Sequence, residues 1–247
     1  MTVKIASCNL WDHPAGLPHR KTQIIDTLTA CHADILCLQE NFFGDAIQTH
    51  FPRLPHCMYD AETGLSVLSR YPVTECRRLP HALAVTLACG IGSLCAVNLH
   101  LPWQSAAARE TAIIEITDAA RAAHADYSVL AGDFNCSDTS SVQRFLCGEQ
   151  SLHGHDAYYF DLAEAYAALT GTEAAPTLDF RRNPRWGAVD LPNTLERNQR
   201  FDRILLANPY PQSAPQLTEA GIFGEDISPE TGLAPSDHYG VYACLSF

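Results

Sequence analysis

Several short apolar runs in this sequence end in residues that can do chemistry. Ile5-Ala6-Ser7-Cys8 runs into Asn9, and Ile35-Leu36-Cys37-Leu38 into Gln39-Glu40. Cys95-Ala96-Val97 runs into Asn98-Leu99-His100, and Val129-Leu130-Ala131 into Gly132-Asp133-Phe134-Asn135. Two later runs have the reverse order. Asp202 precedes Ile204-Leu205-Leu206, and Ser236-Asp237-His238 precedes Val241-Tyr242-Ala243-Cys244. If those last two strands run antiparallel to the earlier ones, every polar cluster lands on the same sheet edge. Glu40, Asp133 and Asp237 would then meet Asn9, Asn135, His100 and His238. Carboxylates that converge without basic partners repel one another and call for a cation. Oxygen-rich ligation suits Mg²⁺ or Mn²⁺ better than zinc. Such an ion polarises a phosphoryl oxygen and stabilises a leaving oxygen, so the chemistry indicated is phosphate-ester hydrolysis.

Each piece has a plainer reading in isolation. Gly132-Asp133 is good turn chemistry. Glu40 suits the positive end of a following helix. His100 suits a satisfied interior position, and Ser236-Asp237-His238 a turn before the last strand. It is their joint placement at strand ends that favours a site.

The elements that must position these residues follow from periodicity. Residues 3–9, 34–39 and 64–69 read as buried strands, and Lys21 to Ala30 as a helix with Ile24, Ile25 and Leu28 at helical spacing. A second helix is expected over Asn41 to Phe51. Residues 83–89 and 94–100 flank Gly90-Ile91-Gly92-Ser93, a hairpin signal. A long helix is expected from Ser105 to about His124, with Ala112, Ile113, Ile116 and Ala120 on one face. Strand 127–131 follows, then helices over 141–147 and 160–169. Residues 171–199, rich in Pro, Asn and Arg, read as a surface loop. Strands return at 201–206 and 239–246. Hairpins mixed with helices imply two packed sheets with helices outside. No linker interrupts the chain, so residues 1–247 read as one domain.

Bulk properties narrow the function. Of 247 residues, 47% are apolar and 18% charged, which is globular composition. No apolar run is long enough to span a membrane, and the N-terminus reads as a strand rather than a signal peptide. A cytoplasmic protein is expected. The ten cysteines include Cys8, Cys37, Cys95 and Cys244 inside apolar runs, and no Cys-x-x-Cys pair exists. They read as reduced core thiols rather than a disulfide framework or zinc site. The net charge of −12 argues against tight nonspecific nucleic-acid binding. It leaves catalysis on nucleic acid open, because a bound metal supplies local positive charge. The expected partner is a phosphoester substrate, DNA and RNA included, and no obligate protein partner is evident. Arg109, Trp103 and Trp186 are candidate substrate contacts. Phe180 and Trp186 sit among Arg181, Arg182 and Arg185. That group reads either as a grip for a base or tyrosyl group and its phosphate, or as a solvated loop with one docked Trp.

The ordered set Asn9, Leu38-Gln39-Glu40, Gly64-Leu65-Ser66-Val67-Leu68-Ser69-Arg70, Asn98-Leu99-His100, Gly132-Asp133-Phe134-Asn135, Phe201-Asp202-Arg203-Ile204 and Ser236-Asp237-His238 resembles the endonuclease/exonuclease/phosphatase superfamily, which is deoxyribonuclease I-like. The resemblance spans nearly the whole chain. Arg200-Phe201-Asp202-Arg203-Ile204 and Ser236-Asp237-His238-Tyr239-Gly240 are similar to the 5′-tyrosyl-DNA phosphodiesterase branch. The chain departs from that branch at Trp11, where an Asp is usual, and at Leu178, where an aromatic is usual. The resemblance implies an α/β (α+β) fold, a four-layered α/β/β/α sandwich of two packed mixed sheets. It implies Glu40 as principal metal ligand, helped by Asn9, with Asp237 supporting the metal or His238. It implies that Asp133 positions or deprotonates the attacking water and that Asn135 holds a phosphate oxygen. His238, oriented by Asp202, would bind phosphate or move a proton, and His100 would stabilise charge on the pentacoordinate phosphorus. The implied reaction is in-line water attack on a phosphodiester. A phospholipid or small phosphoester, and a noncatalytic binding module on the same fold, are the other readings.

Overall fold

Two six-stranded mixed sheets pack face to face in a computed structural model that describes residues 1–187 and 195–247. The first sheet has the order β11(Gln216–Phe223), β12(Gly240–Ser246), β1(Thr2–Asn9), β2(Ile35–Gln39), β4(Leu65–Ser69), β3(His56–Asp60). The second has the order β5(Val73–Leu79), β6(Ala82–Cys89), β7(Gly92–His100), β8(Tyr127–Asp133), β10(Asp202–Ala207), β9(Tyr159–Asp161). The apolar sequence runs become the inner strands of each sheet because both of their faces are covered. Val3, Ile5, Ile35, Cys37, Val85, Val129, Ile204 and Ala243 form the core between the sheets. Ala6, Cys8, Leu36 and Leu38, on the other face of the first sheet, pack under α1(His19–Ala30) through Ile24 and Leu28. Val97, Leu99, Leu130 and Leu205 pack under α2(Ala106–Ala122) and α3(Ser141–Leu146). The result is the expected helix–sheet–sheet–helix layering. The short α4(Leu162–Thr170) sends Leu162 into the core between the sheets.

Strand directions decide where the polar clusters go. β1 pairs parallel with β2, and β7 parallel with β8. β12 pairs antiparallel with β1, and β10 antiparallel with β8. The C-terminal ends of β1, β2, β7 and β8 therefore meet the N-terminal ends of β10 and β12 at one edge of the sandwich, as the sequence pattern requires.

The structure differs from the sequence reading in identifiable places. The stretch 41–51 is a 3₁₀ turn over Gly44–His50, not an α-helix. The Asn41 side chain bonds Phe43 N, Gly44 O and Ser66 Oγ, which competes with helical backbone bonding. The stretch 160–169 begins as strand β9, and Asp161 then caps α4 by accepting from Ala163 N and Glu164 N. Strands β3, β5, β9 and β11 carry no clean apolar signature in sequence, and all four are sheet edges. The 171–199 segment is not simply surface loop. Thr177, Leu178, Asp179 and Asn183 are buried, and a short α5(Pro184–Gly187) lies within it. Its residues 188–194 lie outside those described.

The two sheets are bolted together by buried polar groups as well as apolar ones. Asn98 on β7 donates from Nδ2 to Leu38 O at 2.8 Å and Ser66 O at 2.9 Å, both in the opposite sheet. Gln39 Nε2 donates to Asn98 Oδ1 and to Ser7 Oγ. An Asn98→Ala change takes the side-chain donor from two buried carbonyls and one acceptor from the Gln39 amide. At about 1–3 kcal/mol per orphaned group, with partial relaxation, the expected loss is about 3 kcal/mol. Urea denaturation checks this, and a loss below about 1 kcal/mol would remove Asn98 as an inter-sheet bolt.

Candidate active site

Asp133 sits at the centre of the sheet edge and is 1% exposed. The glycine before it explains its placement. Gly132 has φ of +148°, and a Cβ there would stand 2.0 Å from Leu99 O on the paired strand. Only glycine lets β7 and β8 close up this far while β8 turns its last residue toward the edge. Asp133 Oδ1 accepts from Asn135 N at 2.8 Å. Its Oδ2 accepts from Asn9 Nδ2 at 3.2 Å and stands 3.5 Å from His100 Nε2.

Three strand-ending residues, Trp11, Glu40 and Asn135, adopt left-handed backbone conformations with φ of 54°, 51° and 48°. Such conformations are uncommon for residues other than glycine and gather at functional sites. At Glu40 the turn brings the carboxylate back to Asn9 Nδ2 at 3.0 Å and to Asp12 N at 2.9 Å. Its Oε1 is 4.0 Å from His100 Nε2. Asn9 thus gives amide hydrogens to both Glu40 and Asp133, while its Oδ1 accepts from Trp11 N at 2.9 Å. Asn135 donates to Leu101 O at 2.8 Å, leaving its second amide hydrogen for a ligand.

Asp202 and Asp133 are directly opposite each other on paired strands β10 and β8. Asp202 is 0% exposed. Its Oδ2 is 2.8 Å from His238 Nδ1, and the same nitrogen is 3.9 Å from Asp133 Oδ2. Burial disfavours a charged His238 ring, but Asp202, Asp133 and Asp237 outweigh it and raise its pKa well above the ordinary value. With Nδ1 facing Asp202, Nε2 is the ring atom available to a ligand. Asp202 is itself held. Phe201 N and Asp202 N both donate to Thr177 Oγ1 at 3.1 Å, and Tyr239 N donates to Thr177 O at 2.8 Å. On either side, Arg200 grips Asp161 with two bonds of 3.0 and 2.8 Å, and Arg203 reaches Asp138 at 3.0 Å.

The loop of Ser236, Asp237 and His238 is fixed by Arg20 and Asn183, which the sequence did not single out, and by Trp186, which it did. Arg20, wholly buried in α1, donates to the carbonyls of Leu10, Trp11, His13, Ala15 and Pro235. It ties the β1–α1 turn to the Ser-Asp-His loop. Asn183 donates to Ser236 O at 3.0 Å, and Trp186 Nε1 donates to Asp237 O at 3.0 Å. Burial and the nearby Glu40 raise the Asp237 carboxyl above its ordinary pKa, against the pull of His238 and Arg185. No sequence signal marks Arg20, since a helical arginine is usually a surface residue.

The proposed substrate contacts are placed differently. Trp103 stands 70% exposed in the loop after His100. Arg109 holds that loop, donating to Pro102 O at 3.1 Å and Trp103 O at 2.9 Å. Trp186 packs against Phe180 at 4.9 Å between ring centroids and lies beside Asp237. The edge is open rather than enclosed. A cavity of about 670 Å³ lined by Arg121, His124, Asp126 and Tyr210 lies at the opposite ends of β8 and β10.

Two groups of side chains offer themselves to a cation. Asp133, Asp202 and His238 each place one donor atom within 4.8 Å of the others, all buried. The 2.8 Å bond between His238 Nδ1 and Asp202 already occupies that set. Glu40 and Asp237 lack such a neutralising partner, and their carboxylates fit a hard divalent ion better.

Asp202→Asn removes the largest charge that raises the His238 pKa. The ring should then titrate at lower pH than in the unaltered protein, read by ¹⁵N NMR of the imidazole. An unchanged titration would mean that Asp202 does not hold the ring charged.

The chain matches the Endonuclease/Exonuclease/phosphatase family over residues 6–238. No curated protein matches it. Among solved structures, truncated TDP2 from Caenorhabditis elegans superposes with a TM-score of 0.75 at 18% identity, covering 100% of this chain and 98% of that one. D. rerio TDP2 complexed with a single-strand DNA product superposes with 0.73 at 16% identity, covering 100% and 99%. The human Nocturnin catalytic domain with bound sulfate superposes with 0.69 at 16% identity, covering 100% and 94%. These similarities establish a shared fold of two packed mixed sheets flanked by helices. The chain belongs to the Endonuclease/Exonuclease/phosphatase family.

Proposed function

We propose that this protein is a divalent-metal-dependent phosphodiesterase that hydrolyses a nucleic-acid or nucleotide-like ester by in-line attack of water. One observation carries the reading. Glu40, Asp133 and His100 from one end of the strands meet His238, locked by Asp202, from the other. A carboxylate base, a locked imidazole and a cluster of carboxylates gathered at one sheet edge support in-line attack of water on a phosphoryl group.

The Asn9 amide hydrogens hold Glu40 and Asp133 apart but aligned. Glu40 and Asp237 would hold the ion, Mg²⁺ or Mn²⁺ by donor type. When bound, it would neutralise charge on the phosphoryl oxygens. Asp133 Oδ2 accepts the proton of the attacking water. His238 Nε2 donates to a non-bridging phosphate oxygen, and the charge on the ring is sustained by Asp202. The free Asn135 amide hydrogen and His100 Nε2 add further donors to the charge that develops at phosphorus.

Trp103, exposed beside His100, supplies a flat face on which a base or tyrosyl ring can stack. This supports a nucleic-acid-like substrate, 5′-tyrosyl DNA included, over a lipid. No helix among the described residues is long and apolar enough to cross a membrane. The D. rerio TDP2 complex with single-strand DNA product shows that a protein of this fold receives such a strand.

Hydrolysis of bis-p-nitrophenyl phosphate should require Mg²⁺ or Mn²⁺ and stop with EDTA. Activity that survives complete metal removal would sink the metal assignment. Asp133→Ala and His238→Ala should each lower kcat by about a hundredfold or more, with the fold checked by circular dichroism. Near-normal turnover in either variant removes that residue from the mechanism. A panel of 5′-tyrosyl DNA, plasmid DNA, RNA, sphingomyelin and inositol phosphates tests the substrate class, and preference for either of the last two would overturn it.

A further inference from the structure

Arg185 is held in an unusual way for a cation. Its guanidinium lies over the Trp11 ring, 5.1 Å from the centroid, and over the Trp186 ring at 5.4 Å. Its Nε is buried and has no hydrogen-bond partner. Among the described residues its guanidinium makes no ion pair. The neighbouring Arg182 on the same segment is paired with Glu225 at 3.1 Å. Aromatic faces attract a cation but offer no lone pair to its N–H groups. A buried guanidinium N–H without an acceptor is costly, and such a group is suited to receive an oxyanion.

The surroundings of Arg185 place it at the site. Trp11 N is bonded to Asn9 Oδ1, and Trp186 Nε1 to Asp237 O. The Asp237 carboxyl feels the Arg185 charge without reaching ion-pair distance. Arg20, the other cation over Trp11, is committed to backbone carbonyls. In the proposed reaction the hydrolysed phosphate would be received by His100, Asn135 and His238, around Asp133. Arg185 stands near Asp237 with both indoles against it.

We propose that Arg185, set against Trp11 and Trp186, is an anion subsite that receives a second phosphate of the substrate, distinct from the one hydrolysed. The substrate class is then a phosphodiester carrying a further phosphate group, as in an oligonucleotide or a nucleotide with a second phosphate. This rests on the phosphodiesterase reading above and adds a specificity residue to it.

The test compares two chromogenic substrates: the p-nitrophenyl ester of thymidine 5′-phosphate, and the same ester bearing a 3′-phosphate. The unaltered protein should show a KM roughly tenfold lower for the second, about 1.4 kcal/mol of added binding. In Arg185→Met the two KM values should converge with kcat nearly unchanged, and Arg185→Lys should keep part of the difference. A preserved difference in Arg185→Met overturns the proposal, and so does an equal loss on both substrates. A second measurement does not depend on hydrolysis. In a Trp103→Phe background the remaining tryptophans are Trp11 and Trp186. Their fluorescence is titrated with inorganic phosphate in the presence of Mg²⁺. Arg185→Met, or Arg185→Gln if the first variant does not fold, should weaken binding about tenfold, and unchanged binding overturns the subsite. If neither ester is cleaved by the unaltered protein, the hydrolase reading falls while this titration still decides the role of Arg185.

Discussion

Two buried carboxylates facing each other across a strand pair are the constraint on which this edge of the fold depends. Asp133 and Asp202 are register partners, and neither reaches solvent to any useful degree. Like charges directly opposite on a sheet are destabilising. One oxygen of each lies within 4.8 Å of the other, so at an effective dielectric of about 20 their repulsion would be on the order of 3.5 kcal/mol or more. His100, on β7 of the same sheet, stands 3.5 Å from Asp133, but the partner of Asp202 comes from elsewhere. It is His238, delivered by the approach to β12 in the other sheet, with Nδ1 2.8 Å from Asp202 and 3.9 Å from Asp133. The buried Asp202 carboxylate is therefore balanced across the interface between the two sheets.

That requirement explains the polar seam around the edge. Elsewhere the sheets meet through Val, Ile and Leu, which fix spacing but not register along the strands. Near the site, Gln39, Asn98 and Ser7 replace them with directional bonds. Thr177 reads the backbone of Phe201, Asp202 and Tyr239 together, so a single residue couples β10 to the segment entering β12. Arg20 does the same between the β1–α1 turn and Pro235. Each of these residues orients a chemical group by holding the main chain beside it, so a sub-ångström placement of His238 and Asp237 does not rest on loop stiffness alone.

The sequence displayed the inner strands and hid the outer ones. β1, β2, β7 and β8 are covered on both faces and read as apolar runs. β3, β5, β9 and β11 are the four sheet edges, where charge and polarity discourage pairing with another chain. Val73-Thr74-Glu75-Cys76-Arg77-Arg78-Leu79 is a strand only because β6 lies beside it. The clusters at Asn9, Glu40, His100, Asp133, Asp202 and His238 were legible because each ends or begins an apolar run. Arg20, Thr177 and Asn183 were not, since their roles lie in contacts with residues distant in sequence. The loop containing Thr177 looked solvent-facing by composition, yet tertiary hydrogen bonds bury it.

His238 settles only part of the charge that the fold gathers here. Glu40 and Asp237 remain beside Asp133, with His100 at 4.0 Å from Glu40 and no ion pair to Asp237 among the described residues. Arg20 feels Asp237 and Glu40 but spends its donors on carbonyls rather than on the carboxylates. The raised proton affinity of Asp237 comes first from burial and then from repulsion by Glu40. A proton and a divalent ion relieve it in the same place, so they compete. An ion that binds only the folded chain also stabilises it by mass action. In the proposed metal-dependent reaction, the repulsion between these carboxylates would become affinity for the ion, and a sandwich with a net charge of −12 would present a locally cationic edge to a phosphate.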